Sequence, residues 1–372
     1  MRRDGADVAI ALDYYAPYVS GLTECARIVA EGLVERGLRV VVVASRHDDD
    51  LPPCEVWNGV EVIRTPVLAR VRKGIVSPTL PIVAAQQMRR SRVGHLHLPM
   101  IEAGLISRLV GSATPLIVTY QCDVVLDGGV VSRLVLERLD AASRSALRRA
   151  KVRTITSLEY AESSRVLAPI AGGCTVVPPP CLERLGGKPT FRQGDGFHVG
   201  FLGRIVAEKG IEHLVRGFRA IDDPSMRLLL AGDHEALAGG SVIDSVRREV
   251  GDDKRITLLG FLSDDELADL YASIDVFVLP SVSSLEAFGI VQVEAMLAGV
   301  PVIASDRPGV RVPVAETGFG WLVPPADPFA ITAALLDARG GAPLPAPGAL
   351  ERFTATRVVD RYVELIDQLG VG

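Results

Sequence analysis

The sequence predicts an α/β protein made of two tandem domains, each a doubly wound parallel sheet. Three observations predict it. Short, wholly apolar runs alternate with stretches of helical period, and a strand buried on both faces reads as such a continuous run. The alternation stops near residue 180 in a segment dense in proline and glycine, and then it starts again. Finally, 372 residues are too many for one ordinary hydrophobic core and sit comfortably in two.

In the first half, 8–12 reads as a short buried strand. A helix follows over 23–36, with apolar positions at Ile28, Val29, Leu33 and Val34, and Gly37 ends it. The valine run of 39–44 is the next strand. Further strands are expected at 60–64, 93–98, 115–120 and 152–156, with helical stretches between several of them. Strands separated by helices imply right-handed crossovers and a parallel sheet. The stretch from Pro178-Pro179-Pro180 through Gly186-Gly187, Pro189 and Gly194 carries breakers and no periodicity, so 181–196 reads as a linker. The second series has strands at 198–202, 226–231, 256–259, 276–279 and 302–305. Its helices are expected at 211–221, 241–250, 264–273 and 289–298. A last helix, 349–369, follows a Pro/Gly-rich segment. The expected division is therefore 1–180, a linker 181–196, a second domain 197–345, and a C-terminal helix within 346–372. Ligands of open α/β sheets bind beyond the carboxyl ends of the strands, so a site is expected in a cleft between two such domains.

Composition narrows the function. Hydrophobic residues at 48% and charged residues at 23% describe a folded enzyme, and a net charge of −5 argues against a nucleic-acid partner. No run of eighteen apolar residues is present, and the apolar run 8–12 is too short for a secretory signal. Five cysteines without CxxC spacing argue against a zinc site or a disulfide framework, so a cytoplasmic location is expected. The acidic run Asp48-Asp49-Asp50 holds the D-x-D spacing and reads as surface, so no metal is expected as a requirement.

Two segments carry chemistry. In Gly200-Phe201-Leu202-Gly203-Arg204-Ile205-Val206-Ala207-Glu208-Lys209-Gly210 a strand ends at Gly203, Arg204 sits at its carboxyl end, and Lys209-Gly210 precedes a helix. An arginine fork and a compact ammonium suit a diphosphate. Lysine is rare in this chain, with five against thirty-five arginines, so Lys209 is not there by composition alone. In Leu279-Pro280-Ser281-Val282-Ser283-Ser284-Leu285-Glu286-Ala287-Phe288-Gly289-Ile290-Val291-Gln292-Val293-Glu294 a polar loop joins a strand to a helix. The amides of Gly289, Ile290 and Val291 would lie in the first turn, where free N–H groups favour phosphate. Glu286 precedes the helix and Glu294 lies about two turns in, and carboxylates suit sugar and ribose hydroxyls. Singly, each of these residues reads equally well as a solvated loop cation or a cap-like acid.

Together they resemble the family 4 (group 1) glycosyltransferases, retaining enzymes of the two-domain GT-B architecture built from Rossmann-like domains. The G-R-x(4)-K-G segment is Gly203-Arg204…Lys209-Gly210. The glutamate pair with seven residues between is Glu286-Ala287-Phe288-Gly289…Glu294. Ile256-Thr257-Leu258-Leu259-Gly260-Phe261-Leu262 is similar to the family's base-binding strand and loop. Gly299-Val300-Pro301-Val302-Ile303-Ala304-Ser305 and Thr317-Gly318-Phe319-Gly320-Trp321-Leu322-Val323 also match, so the likeness spans nearly all of 197–327. The resemblance implies that Arg204 and Lys209 neutralise the donor diphosphate, Glu286 contacts the donor sugar, and Glu294 holds the ribose. Gly203, Phe261, Leu262, Phe288, Gly289, Ile290 and Val291 complete the implied donor site. It also implies front-face transfer in which a leaving phosphate oxygen takes the acceptor proton.

The first domain resembles the family with departures. Asp13-Tyr14-Tyr15-Ala16-Pro17-Tyr18-Val19-Ser20-Gly21 is similar to a first loop that usually carries two glycines; Gly21 is kept for the donor site and Ser20 fills the other place. Val93-Gly94-His95-Leu96-His97-Leu98-Pro99 is similar to a "vvHvHxP" strand end. His95 reads as a packed histidine and His97 as a candidate for the cleft. In Thr119-Tyr120-Gln121-Cys122-Asp123 many relatives carry T-x-H-x-D, and Gln121 stands at the histidine. Glutamine is no base but bonds hydroxyls. Asp123 and Ser157 are further acceptor candidates. Two basic groups, Arg70 with Arg72 and Lys73, and Arg89 with Arg90 and Arg92, suit an anionic acceptor, peripheral contact with a membrane, or plain solvation.

The expected activity is therefore transfer of a hexose-type sugar from a UDP-, GDP- or TDP-sugar to a hydroxyl of a glycan, lipid-linked sugar or small molecule, with no cofactor. The rival reading is a silent nucleotide-sugar-binding relative or a partner subunit of an active transferase, and the missing histidine lends it weight. A nucleotide-sugar epimerase or a phosphorylase would need other residues. A dinucleotide oxidoreductase lacks its G-x-G-x-x-G after either first strand.

Overall fold

The computed structural model describes residues 5–71, 74–112, 114–126, 128–233 and 241–370; Arg72 and Lys73 lie outside them. The chain divides into two compact units. One holds the residues up to Pro180 together with those from Ala355 on, and the other is Cys181–Thr354.

The first unit runs β1 (Val8–Ala11), α1 (Gly21–Glu35), β2 (Val40–Ser45), β3 (Cys54–Trp57), β4 (Val60–Thr65), β5 (Ala69–Val71) and β6 (Gly74–Val76). It continues with α2 (Leu80–Arg90), β7 (Val93–Leu98), α3 (Ala103–Val110), β8 (Leu116–Tyr120), α4 (Gly129–Arg149), β9 (Val152–Ile155), α5 (Leu158–Ser163) and β10 (Thr175–Val176). Its sheet has the order β10-β9-β8-β7-β1-β2-β4-β3, parallel throughout except for β3 against β4. The sequence gives no sign of β3 as a buried strand, because Cys54 to Trp57 alternates exposed and half-covered residues along a sheet edge. The hairpin of β5 and β6 is also an addition to the expected elements.

The second unit holds β11 (His198–Leu202), α6 (Ile211–Arg219), β12 (Arg227–Ala231), α7 (Ile243–Val250), β13 (Ile256–Gly260), α8 (Asp264–Ala272) and β14 (Val276–Leu279). It ends with α9 (Ile290–Leu297), β15 (Val302–Ser305), α10 (Val312–Thr317), β16 (Gly320–Val323) and α11 (Pro328–Gly340). Its sheet, β13-β12-β11-β14-β15-β16, is wholly parallel. Leu214, Phe218, Val246 and Leu335 bury one face, and Leu270, Tyr271, Met296 and Val314 bury the other. The segment expected as a linker is part of this unit: the Lys188 amide and Thr190 hydroxyl bond to the two carboxylate oxygens of Asp269 on α8, at 2.7 and 3.0 Å.

The last helix, α12 (Ala355–Gly370), begins later than residue 349 because Leu350 to Thr354 form a single tight turn that Thr354 leaves in extended conformation. It does not stand as a separate element. It belongs to the first unit, where Val358, Val359, Tyr362, Leu365 and Ile366 join Val29 and Leu33 of α1 over β1 and β2. Arg36 Nε donates to Asp360 Oδ1 at 2.6 Å, and Arg92 reaches Asp367 at 3.7 Å. Tyr362 Oη lies 3.0 Å from the Thr119 hydroxyl on β8.

Burial of Ile366 at 1% exposure makes it a strong test of that docking. Ile366→Ala should lower the unfolding free energy of the first unit by about 2–5 kcal/mol. Chemical denaturation followed by a first-unit probe checks it.

Candidate functional site

In each sheet the strand order reverses once, between β1 and β7 and between β11 and β14. Loops leaving neighbouring strands on either side of such a reversal part in opposite directions and leave a crevice. In the second unit these are the loops that carry the two sharpest sequence motifs.

The loop after β11 makes one tight turn, Ala207–Lys209, and passes through Gly210 at φ 65°. A Cβ at 210 would sit 2.3 Å from the Pro280 carbonyl oxygen and 2.9 Å from a Val282 methyl, so only glycine lets the two loops touch. The Val282 amide then donates to the Glu208 carbonyl at 2.9 Å. This clamp brings Lys209 Nζ onto Glu286 Oε2 in a close ion pair, with both side chains only 16% exposed. Arg204, 49% exposed, donates to Glu208 Oε1 at 2.9 Å. Glu208 lies inside the quoted motif but was not singled out; its spacing of four from Arg204 is the signal that could have found it.

Gly289 caps α9 at φ 82°, where a Cβ would strike Leu279 at 2.4 Å. Gln292 secures the turn from below, its amide donating to the Phe288 and Val310 carbonyls, the latter at 3.0 Å. Ile290 and Val291 form the first turn as expected. Phe288 is buried against Phe353, with ring centroids 5.7 Å apart, and so seats the loop in the core. Leu262 is likewise a core residue, packed in one cluster with Leu270 and Tyr271, whereas the neighbouring Phe261 ring is 72% exposed beyond the end of β13. Gly203 leads out of β11, its amide bonded to the Ala231 carbonyl at 3.1 Å. Glu294 is buried on α9, 3.4 Å from the Tyr271 hydroxyl, and burial raises its carboxyl above the usual range against the pull of Arg184.

In the first unit Ser20, standing where relatives have glycine, caps α1 reciprocally with Thr23, at 3.3 Å for the hydroxyl and 2.8 Å for the amide. Gly21 is the first helical residue. Two acceptor candidates are engaged in hydrogen bonds within the first unit. Asp123 is enclosed: its Oδ1 accepts from the Tyr120 and Ser164 hydroxyls, both at 2.7 Å, and its Oδ2 from the Arg165 amide at 3.1 Å. It fixes the loop after β8 rather than presenting a carboxylate. Ser157 is buried and caps α5 by accepting from the Tyr160 amide at 3.2 Å.

His97 and Gln121 do come together. Gln121 Nε2 lies 3.4 Å from the Leu22 carbonyl and 3.1 Å from His97 Nδ1. The carbonyl can only accept, which fixes the NH₂ group on that side. Nδ1 of His97 is then an acceptor and the ring proton sits on Nε2, which is buried without a partner among the described residues. The His95 ring packs at a tilt against His97, with centroids 4.3 Å apart, and bonds the Thr119 hydroxyl at 2.7 Å. Burial pushes the His97 imidazole down to about 3 and holds His95 well below the usual value, so both are neutral. Sequence reading missed Asp13 and Glu102, which follow β1 and β7, the pair of strands at the reversal. They share a hydrogen bond and both carboxyls are raised by burial, Asp13 strongly. Of the basic groups, Arg70 bonds the His47 carbonyl, and Arg92 is drawn between Asp7 and Asp367.

The sequence matches two family models, "Glycosyl transferases group 1" over residues 196–339 and "Glycosyl transferase 4-like domain" over 20–180. The 2-deoxystreptamine glucosyltransferase of Streptomyces kanamyceticus is 31% identical over 222 residues, which are 55% of this chain and 56% of that protein. The chain's matches span from 28% to 56% of the length of such curated relatives. Among solved structures, sucrose-phosphate synthase from Thermosynechococcus elongatus superposes with a TM-score of 0.76 at 22% identity, over 97% of this chain and 98% of its own. The Anabaena protein HepE, solved in complex with UDP and glucose, gives 0.68 at 18% identity over 97% and 99%.

Neutral His97 carries a pH signature. The unfolded imidazole titrates near 6.5 and the folded one near 3, so the unfolded chain binds more protons below 6.5 and stability falls as the pH is lowered through that range. His97→Gln should therefore lose about 2 kcal/mol less than wild type between pH 7 and 5. Denaturant titrations at the two pH values check it, and equal losses count against the neutral assignment.

Proposed function

The chain belongs to the group 1 glycosyltransferases, and from that premise we propose that it moves a hexose-type sugar from a nucleotide-diphosphate sugar to an acceptor hydroxyl with retention of configuration. The single observation that carries the reading is the Lys209–Glu286 pair held between the loops after β11 and β14, with Arg204 beside it. A cation and a carboxylate held side by side suit the two ends of such a donor, diphosphate and sugar.

In the proposed step the bond between the anomeric carbon and the diphosphate oxygen breaks. The acceptor oxygen bonds the same face of that carbon, and its proton passes to the departing phosphate oxygen. Arg204 and Lys209 neutralise the charge that grows on the leaving group, which is the largest catalytic contribution available without a protein nucleophile. Glu286 orients the sugar hydroxyls. Glu294 takes the ribose, and the exposed Phe261 ring offers a face to the base. In the first unit the candidates for bonding an acceptor hydroxyl are His97, through its neutral Nε2–H, and Gln121, through its Oε1 as an acceptor. Transfer by this route requires no metal and no cofactor.

The Streptomyces relative's name favours a glucosyl group and a small-molecule acceptor, and the HepE complex favours UDP as the first nucleotide to try. Glycan and lipid-linked acceptors belong to the same proposal, as does peripheral membrane contact through Arg70, Arg89 and Arg90. Among the described residues no helix is long and apolar enough to cross a membrane. Gln121 at the histidine position favours a second reading, a nucleotide-sugar-binding relative without transfer.

Thermal unfolding with UDP, GDP, TDP and ADP tests the donor site. A nucleotide at roughly a hundred times its dissociation constant adds about 2.7 kcal/mol and raises the midpoint by several degrees. Arg204→Ala/Lys209→Ala should abolish that shift. Glu286→Gln should keep it and slow transfer about a hundredfold, with the α or β product read by the anomeric proton resonance. A shift without turnover on any acceptor selects the silent reading, and inversion at the anomeric carbon overturns the proposed mechanism.

A further inference from the structure

The breaker-rich segment that enters the second unit does more than connect. After Cys181, whose amide bonds the Phe353 carbonyl at 3.0 Å, the chain turns along α8 and delivers Arg184 to Glu294. Arg184 Nε lies 3.5 Å from Glu294 Oε1, and its Nη1 lies 3.2 Å from Asp264 Oδ1 in the first turn of α8. The guanidinium is 14% exposed and the Glu294 side chain 7%.

A carboxylate so enclosed needs a counter-charge and fixed donors to stay ionised. Among the described residues four groups act on it. The Leu182 amide and the Tyr271 hydroxyl on α8 donate to it, Arg184 is its cation, and Asp264 is an acidic neighbour that opposes ionisation. Tyr271 also donates to the Val291 carbonyl at 3.1 Å, so its hydroxyl is shared and cannot orient the carboxylate alone. Arg184 Nε is buried and meets Glu294 as a charge, outside good hydrogen-bond geometry. The carboxylate therefore keeps lone pairs for a ligand while its charge is balanced.

We propose that Arg184 is the positioning residue that orients and charge-balances Glu294 for the ribose hydroxyls of the nucleotide. This rests on the donor-site reading and deepens it. Arg184 acts only through Glu294 and touches no reacting atom.

The sign of the pH effect follows. Burial already raises the Glu294 carboxyl and Arg184 lowers it. Without the guanidinium the carboxyl rises further, so Glu294 takes up a proton as pH falls and its grip on a ribose diol weakens. At high pH the carboxylate returns.

The experiment compares binding of UDP, GDP and ADP with that of their 2′,3′-dideoxy counterparts by calorimetry, from about pH 5.5 to 8.5. Wild type should prefer a ribose form by roughly ten- to hundredfold throughout, as expected for a hydrogen bond to a charged group. In Arg184→Met that preference should collapse toward unity at the acid end and recover at the alkaline end; Arg184→Lys should restore most of it. Asp264→Asn changes an exposed residue, removes the second negative charge beside Arg184, and should keep the preference in full across the whole range. A merely structural arginine would lower stability and leave the ratio alone, so ratios in Arg184→Met within twofold of wild type across the range overturn the proposal. Loss of preference at higher pH in Asp264→Asn overturns it equally, even where Arg184→Met fails to fold. A wild type that binds UDP yet ignores the ribose hydroxyls overturns it and leaves the donor-site reading standing. Binding of none of the six nucleotides removes that reading and this proposal with it.

Discussion

A parallel sheet must bury both of its faces, and the rest of this structure depends on how the two sheets meet that demand. In the second unit the crossover helices suffice. In the first they do not: α1 leaves apolar surface over β1 and β2 that α12 covers. The same demand fixes the site, because a sheet wrapped on both faces must start its crossovers in one direction and finish in the other. The reversal between β11 and β14 parts their loops, and the contact at Gly210 brings the two together where Lys209 meets Glu286.

Charge is arranged with the same economy in the second unit. Arg204 faces Glu208, Lys209 faces Glu286 and Arg184 faces Glu294. Each cation is already held by a carboxylate, so the side chains keep their places without a ligand. On the proposed function, an arriving diphosphate would exchange partners rather than order loose chains, with the entropy of ordering met during folding. That exchange would also free Glu286 from Lys209 and leave its oxygens to accept sugar hydroxyls.

What the sequence made legible was what is local. Strands β2, β7, β11, β14 and β15 fall within a residue or so of the runs expected for them, because a strand buried on both faces is mostly apolar along its length. β16 was quoted as a motif without being read as a strand, since Gly320 to Val323 is only partly covered. The two motifs after β11 and β14 were legible as motifs because each is one loop. Arg184 was not: nothing in a run of prolines and glycines says that one arginine returns to α9. Asp13 and Glu102 are joined by strand order, which spacing cannot supply. Asp123 and Ser157 show the reverse case. Polar residues near strand ends look available until the hydrogen bonds of Ser164, Arg165 and Tyr160 are seen to occupy them.

The place of α12 has a bearing on how the protein is made. The second unit, Cys181–Thr354, is continuous and can close as soon as it leaves the ribosome. The first unit emerges earlier but lacks a helix that comes after the second. The part of its β1 and β2 face that α12 covers stays open through the synthesis of 174 residues, the length of that insertion. The half that begins first is finished last, and a chaperone that shields apolar surface would find its target there throughout.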